Sequence, residues 1–490
     1  MLSRLEKVPS AIREGAVYAL AIGIARVTGV LLLPLLTRRL SDPELGVFGL
    51  LTSTLLLLQY ASGLGLDSGA TRWFYEADAT GLAGVALRDD RRRTLSTWVW
   101  TTLLSAGLLA IAGVVLAEPF AGLVFDGTPG DVRATRAAAL TIPALAMINV
   151  LQHWYRMVRR PLPALVVACA VALTTLVLTI TLVGFGHAGV AGVFVAQAIV
   201  GAGVTVAGLV QLWPTIGAPR IDRARLRIML RYSLPLLPAV ASPFLLGLLT
   251  RVLIRAFSDV GEVGKFQVVS MIATVVTLFT TALQQAWEPY ALSLTDREGA
   301  KPIYRAALLG FVSIAGLFSI VLAAGVPLAL PILGARFDDL ALPALVFGAS
   351  MLISGALPIV NTGPSIAGTG RPALETMVGG TAANVALCAL LVPPFGQNGA
   401  CWASLMTAVL LVASGIVRSE RVWRIDYPVR AVCSTAVVSA AVCAALLSLN
   451  TTDRLALSVR LPATSALVAV GVVASLTLLI RTARGLRTTS

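Results

Sequence analysis

"SDPELGVF", Ser41 to Phe48, has a near copy, "SDVGEVGKF", Ser258 to Phe266, about 217 residues later in the chain. Each is a short polar stretch set between two long apolar runs. Working outward from the first, apolar runs close to the roughly 20 residues needed to cross a bilayer recur along the whole sequence. The 490 residues are 57% hydrophobic and 13% charged, with a mean hydropathy of +0.86, whereas soluble domains carry about 25% charged residues. No polar stretch is long enough for a separate soluble domain. The sequence therefore predicts a multi-pass membrane protein.

Spans are expected at Ala16–Leu36, Leu45–Leu66, Leu95–Leu116, Ala134–Leu151, Leu162–Val183 and Gly189–Trp213. A second six follows at Ser233–Ile254, Phe266–Trp287, Ile303–Ala324, Leu342–Val360, Ala373–Val392 and Gly399–Val417. Val432–Leu449 and Leu461–Ile480 complete about 14 helices. The run from Ala16 continues without a clear small-residue cleavage site, which favours a retained helix over a signal peptide.

Charge tests this layout. With the N-terminus in the cytoplasm, about 27 of the Lys and Arg residues fall in cytoplasmic segments and about 8 in outer loops, the asymmetry of the positive-inside rule. Both termini are expected in the cytoplasm, and a bacterial cell membrane is the expected location. The same rule accounts for the net charge of +14 without a nucleic-acid partner, because the arginines lie in short loops between spans.

In this layout "SDPELGVF" and "SDVGEVGKF" follow the first span of each six-helix set, as equivalent outer turns. "FGHAGVAG" (Phe185–Gly192) and "FGQNGACW" (Phe395–Trp402) form a second pair, about 210 residues apart, between the fifth and sixth spans of each set. Two ordered matches at similar offset indicate a duplicated unit. An even number of spans per copy makes the copies parallel, an architecture of transporters. The expected fold is all-α and polytopic: two parallel six-helix lobes, residues 1–217 and 218–425, around a central cavity, with two further C-terminal helices in 426–490.

Several chemistries find no support. No GxxxxGK[ST] loop is present, and His153 and His187 fall on opposite sides of the membrane in this topology, so no nucleophile constellation appears and no enzyme activity is expected. Cys169, Cys388, Cys401, Cys433 and Cys443 lie in apolar runs without metal-ligand spacing. Neither a metal site, a disulfide nor a cofactor is expected. The informative groups are ionisable residues at membrane depth, each costing at least about 2.5–3.5 kcal/mol at a helix centre unless it faces a polar cavity. Arg26 lies midway through its run and is the clearest. Arg136 and Arg251 sit near outer helix ends, where snorkelling competes with function. Glu288, beside Gln284 and Gln285, is a candidate for coupling or gating, as are Asp67 and Arg72 in "LGLDSGATRWFYE". Gln59, Asn149, Gln152, Gln197, Asn361 and Asn384 could line a hydrated cavity, or bond helix to helix. Pro235, Pro238 and Pro243 are expected to kink the seventh helix.

"TRRLSDPELGVFGL", "LGLDSGATRWFYE", "RYSLPLLPAVASPFLLGLLTRVLI", "ALQQAWEPYALS" and "TAANVALCALLVPPFGQNGACWASL" resemble, in order, stretches of the polysaccharide-transporter flippases of the multidrug/oligosaccharidyl-lipid/polysaccharide exporter superfamily. The resemblance covers the first twelve helices. It implies a two-lobed transporter that moves an isoprenoid-diphosphate-linked oligosaccharide from the inner to the outer leaflet, with membrane lipids, glycosyltransferases or a polymerase as partners. One departure is Thr250 before Arg251, where the family pattern often has an acid. A lipid II flippase is the alternative, and a cation-coupled multidrug exporter is a third. The latter would be expected to place a carboxylate mid-span in the first lobe, and none occurs there. A membrane assembly partner that transports nothing also fits the composition.

Overall fold

The computed structural model describes residues 8–79, 84–294, 299–366 and 371–451, which contain helices and short connections and no strand. The first helices are α1 (Val8–Arg39), α2 (Asp42–Gly63), α3 (Leu66–Ala79), α4 (Gly84–Val115), α5 (Ala117–Val124), α6 (Pro129–Leu140), α7 (Ile142–Met157), α8 (Pro161–Thr179) and α9 (Gly189–Ile216). There follow α10 (Arg223–Ser233), α11 (Leu237–Phe257), α12 (Val260–Ser293), α13 (Lys301–Leu333), α14 (Ala341–Ser354), α15 (Leu357–Val360), α16 (Thr362–Ile366), α17 (Arg371–Val422) and α18 (Val429–Thr451). The last long element, α17, is two helices parted at Gly396, whose φ is 55°. Among the described residues, ten helices are long and apolar enough to cross a membrane. The expected spans from Ala16–Leu36 to Val432–Leu449 fall on helical segments. Leu461–Ile480 lies outside the described residues, so the count of fourteen remains an expectation.

Packing divides the chain into two compact units, Met1–Gly264 and Lys265–Ser490. The division expected at residues 217 and 218 concerns duplication rather than packing and remains a proposal. In the first unit α11 leans on α2 through the Tyr60 and Phe244 rings, stacked with centroids 4.2 Å apart. The core of this unit gathers Leu66, Trp98, Met147, Tyr155 and Met229 from α3, α4, α7 and α10. In the second unit Tyr304 is fully buried, and its ring meets Trp287 and Trp423 edge-on. Trp287 donates to Thr362 Oγ1 at 3.0 Å and Tyr427 to the Ile359 carbonyl at 3.1 Å, fixing these aromatic residues by their polar ends. Asn384 donates to Thr407 Oγ1 at 3.1 Å, joining the two halves of α17.

The two quoted turns start helices by the same chemistry. Ser41 caps α2: its backbone N–H donates to Glu44 Oε2 at 2.8 Å and its hydroxyl accepts from the Glu44 N–H, a capping box with Pro43 in the first turn. Asp259 caps α12, its Oδ1 accepting from the Glu262 N–H at 2.9 Å. The equivalent positions are therefore Ser41 with Asp259 and Gly46 with Gly264, one residue out of the register that pairs Ser41 with Ser258. A Cβ added at Gly46 would lie 2.0 Å from the Val260 carbonyl oxygen, and one added at Gly264 would lie 2.0 Å from that of Asp42. Each glycine thus admits the backbone of the other helix at the equivalent place. The first turns of α2 and α12, both inside the first unit, thus meet backbone to backbone at these two glycines.

Breaks in the long helices carry further information. Between α2 and α3, Leu64 (φ 50°) and Gly65 (φ 67°) are consecutively left-handed, so the helix of the expected span Leu45–Leu66 stops near its end and a second helix, α3, starts there. Only glycine takes such a conformation without penalty. Beyond α3, the short helix α10 is locked to α4. Asp222 caps it, accepting from the N–H groups of Ala224 and Arg225 at 3.0 and 3.1 Å, and Arg225 pairs with Asp90. The Arg225 and Ala224 N–H groups hold the Asp222 carboxyl below its usual range. This stabilisation is present above the ordinary carboxylate range and is lost as pH falls through the lowered value.

Candidate functional site

Arg26 occupies the middle of α1, half-buried. Its Nη1 is buried without a hydrogen-bond partner among the described residues, and among them no ion pair includes Arg26. A guanidinium at that depth without a protein partner is costly, and it is available to an anion.

Arg251 is differently placed. Its Nη1 donates to the Gly247 carbonyl one turn back at 3.0 Å, and the preceding Thr250 hydroxyl donates to the Leu246 carbonyl at 2.9 Å. Arg136 pairs with Glu118 at 2.7 Å. Arg72 is exposed, 3.6 Å from Glu76, with its guanidinium carbon 4.7 Å from the Tyr232 ring centre and 5.3 Å from that of Trp73. Gln59 donates to the Leu145 carbonyl at 3.4 Å. In the second unit Gln284 lies half-buried on α12, and Asn361 forms the joint between α15 and α16. The side chain of Glu288 lies outside the described residues.

Asp67 and Asn149 are brought together: Asn149 Nδ2 donates to Asp67 Oδ2 at 3.0 Å. The other carboxylate oxygen accepts from Trp98 Nε1 at 3.0 Å. Asp67 lies in the first turn of α3, directly after the left-handed break, where the N-terminal end of the helix favours a negative charge. One turn further, Thr71 Oγ1 and His153 Nε2 are 2.7 Å apart. A second turn on, Tyr75 donates to the Met157 carbonyl at 2.6 Å. Asp67–Asn149, Thr71–His153 and Tyr75–Met157 are therefore successive rungs between two helices, α3 and α7, that run in the same direction. His153, Thr71 and Trp98 were not among the expected site residues. Their signal was the four-residue spacing, Asp67-Thr71-Tyr75 against Asn149-His153-Met157, which places each trio on one helix face.

The lower rung has a measurable cost. Trp98 is fully buried, so Asp67→Ala leaves its indole N–H and the Asn149 amide without an acceptor, at about 1–3 kcal/mol for each. Thermal unfolding in detergent should show that loss, and Trp98→Phe should cost less in the Asp67→Ala background than alone. Additive losses would mean the rung does not act as a unit.

The molecule is a bundle of apolar helices with polar groups held inside it, and solved membrane transporters share this fold. A lipid II flippase MurJ in an inward closed conformation matches with a TM-score of 0.72 at 11% identity, over 95% of this chain and 98% of that one. An inward-facing multidrug resistance MATE family transporter matches with a TM-score of 0.68 at 14% identity, over 86% and 96%. The MATE multidrug transporter DinF-BH gives 0.62 at 16%, over 86% and 97%. At these identities the likeness establishes the fold. No curated protein sequence matches the chain. The model of the polysaccharide biosynthesis protein family matches residues 11–294, more than half of the sequence, and the chain belongs to that family. The solved structures that share the fold are those of transporters and not of enzymes.

Proposed function

We propose that this transporter flips an isoprenoid-diphosphate-linked oligosaccharide from the inner to the outer leaflet of a bacterial cell membrane by alternating access, both termini being cytoplasmic. The observation that carries the reading is the buried, unpartnered Nη1 of Arg26 at mid-helix. A diphosphate is the anion whose desolvation such a group offsets, by charge-assisted and forked hydrogen bonds. Family membership supports a polysaccharide precursor as the cargo. An inside-negative potential favours outward movement of an anion by about 2.3 kcal/mol per charge per 100 mV.

Arg26 is the leading cargo contact, with Arg251, Gln284 and Asn361 as further candidates. Gln59 and Asn149 already hold protein acceptors, so their contribution is to shape the cavity. Coupling and gating remain assigned to Glu288, Asp67 and Arg72, and glycosyltransferases or a polymerase are the partners that would supply and consume the cargo. The likeness to a lipid II flippase favours that cargo as the second reading.

A strain lacking this chain separates the two. The proposal expects a glycosylated isoprenoid diphosphate other than lipid II to accumulate on the inner leaflet, with peptidoglycan synthesis unchanged. Accumulation of lipid II would transfer the assignment to the second reading.

A further inference from the structure

The second rung of the ladder contains a protonatable group whose bonding fixes its own tautomer. Arg156 Nη2 lies 3.2 Å from His153 Nδ1, and a guanidinium can only donate. His153 Nδ1 must therefore accept, and the neutral imidazole carries its proton on Nε2. That N–H faces Thr71 Oγ1 at 2.7 Å, and the Thr71 hydroxyl in turn donates to the Asp67 carbonyl at 2.9 Å. Every proton in this chain of contacts has an acceptor, and none is left over.

We infer that His153 is a proton-binding site of the transporter and that proton uptake there releases Arg156. On acidification a hydronium ion gives its proton to Nδ1: one of its O–H bonds breaks, an N–H bond forms and a neutral water leaves. The lone pair that accepted from Arg156 is consumed, and two cations then face each other across what was a hydrogen bond. The Nε2–H bond to Thr71 survives, so the imidazolium stays on the ladder while the guanidinium leaves it.

The surroundings are suited to such a change. The anion nearest along the ladder is Asp67, whose two oxygens are held by Trp98 and Asn149. Tyr60 on α2 lies near Asp67 and Arg156. The Trp98 ring of α4 meets the imidazole edge-on, with centroids 5.7 Å apart. The nearest acid of α4 toward that end, Asp90, is already paired with Arg225. Helices α8 and α9 carry no charged residue. On α6, the Asp131 carboxylate accepts from the N–H and hydroxyl of the capping Thr128 and Arg136 pairs with Glu118, both near the far end of the α6–α7 span from His153, alongside Arg133. The charged groups that act on the partly buried His153 are thus one anion, Asp67, and one cation, Arg156, next to a helix that starts at a left-handed break.

The site as a proton-binding group stands on geometry alone; its use in the transport cycle rests on the flippase reading. The test exploits the fact that the chain has two histidines. His187→Asn, a replacement that tolerates the positive φ at that position, leaves His153 as the only histidine. Nitrogen-15 solid-state NMR of the histidine-labelled full chain in lipid should show a protonated Nε2 and a bare Nδ1 at about pH 8, and both protonated in acid. Arg156→Gln should move the midpoint up by removing a cation, and Asp67→Asn should move it down by removing an anion. A proton on Nδ1 at about pH 8, a ring that does not titrate between about pH 5 and 8, or a midpoint indifferent to both variants would overturn the site. Because none of these readouts uses cargo, a failed flipping assay would leave this result standing, and the reverse also holds.

Discussion

Arg26→Ala is expected to cut export of the surface polysaccharide by at least about tenfold, while the chain remains folded and inserted. The expectation follows from the free Nη1. Because no carboxylate among the described residues pairs with Arg26, removing the guanidinium leaves no orphaned protein charge, and the fold relaxes rather than suffers. A charge-assisted hydrogen bond to cargo is worth about 1.5–3 kcal/mol, which corresponds to roughly 10- to 100-fold in rate. Arg26→Lys keeps the charge and loses the fork, so it should retain part of the export if charge dominates and none if bidentate geometry does. Quantifying surface polysaccharide alongside the amount of membrane-inserted protein reads all of these together. Full export from Arg26→Ala would remove Arg26 from the mechanism.

The second large effect is expected at the crossing of α2 and α12. Gly46→Ala and Gly264→Ala each place a methyl group 2.0 Å from a backbone oxygen, which no rotamer change relieves. Overpacking costs about 1–3 kcal/mol where side chains can shift, and here the helices themselves must separate. Gly29→Ala and Gly63→Ala, with nothing within 4 Å of the added carbon, are the controls. A crosslink measures the crossing directly. A Cβ at Gly261 would lie 3.6 Å from the Cβ of Asp42, inside the range a disulfide bridges. Asp42→Cys with Gly261→Cys should form a disulfide under mild oxidation, and adding Gly46→Ala or Gly264→Ala should suppress it. An undiminished crosslink in those triple variants would show that the crossing tolerates the methyl group.

The helical architecture was legible because it rests on length and hydropathy, which a single chain states residue by residue. The repeated turn was legible too, although its register was one residue off. Sequence similarity aligned Ser41 with Ser258, whereas the helices are capped by Ser41 and Asp259, two different side chains that perform one task. Side-chain partners were harder to read. Asp67 and Asn149 were each recognisable as polar groups in apolar surroundings, but their pairing depends on α3 and α7 lying side by side in one direction, a fact about packing. His153 carried even less signal, since a histidine near a helix end is ordinary until Thr71 and Arg156 are found on either side of its ring. Arg26 stood out from sequence because its depth is a matter of counting. Its lack of a partner required the fold.

The decisive measurement is flipping by the purified chain in vesicles that carry a fluorescent isoprenoid-diphosphate oligosaccharide, scored by the fraction reaching the leaflet accessible to an added quencher. The wild-type chain should move the lipid between leaflets and Arg26→Ala should not, while a neutral isoprenoid glycoside without the diphosphate should stay in place with either. Equal movement by the two proteins, or of both lipids, would contradict the assignment of a buried arginine to an anionic cargo.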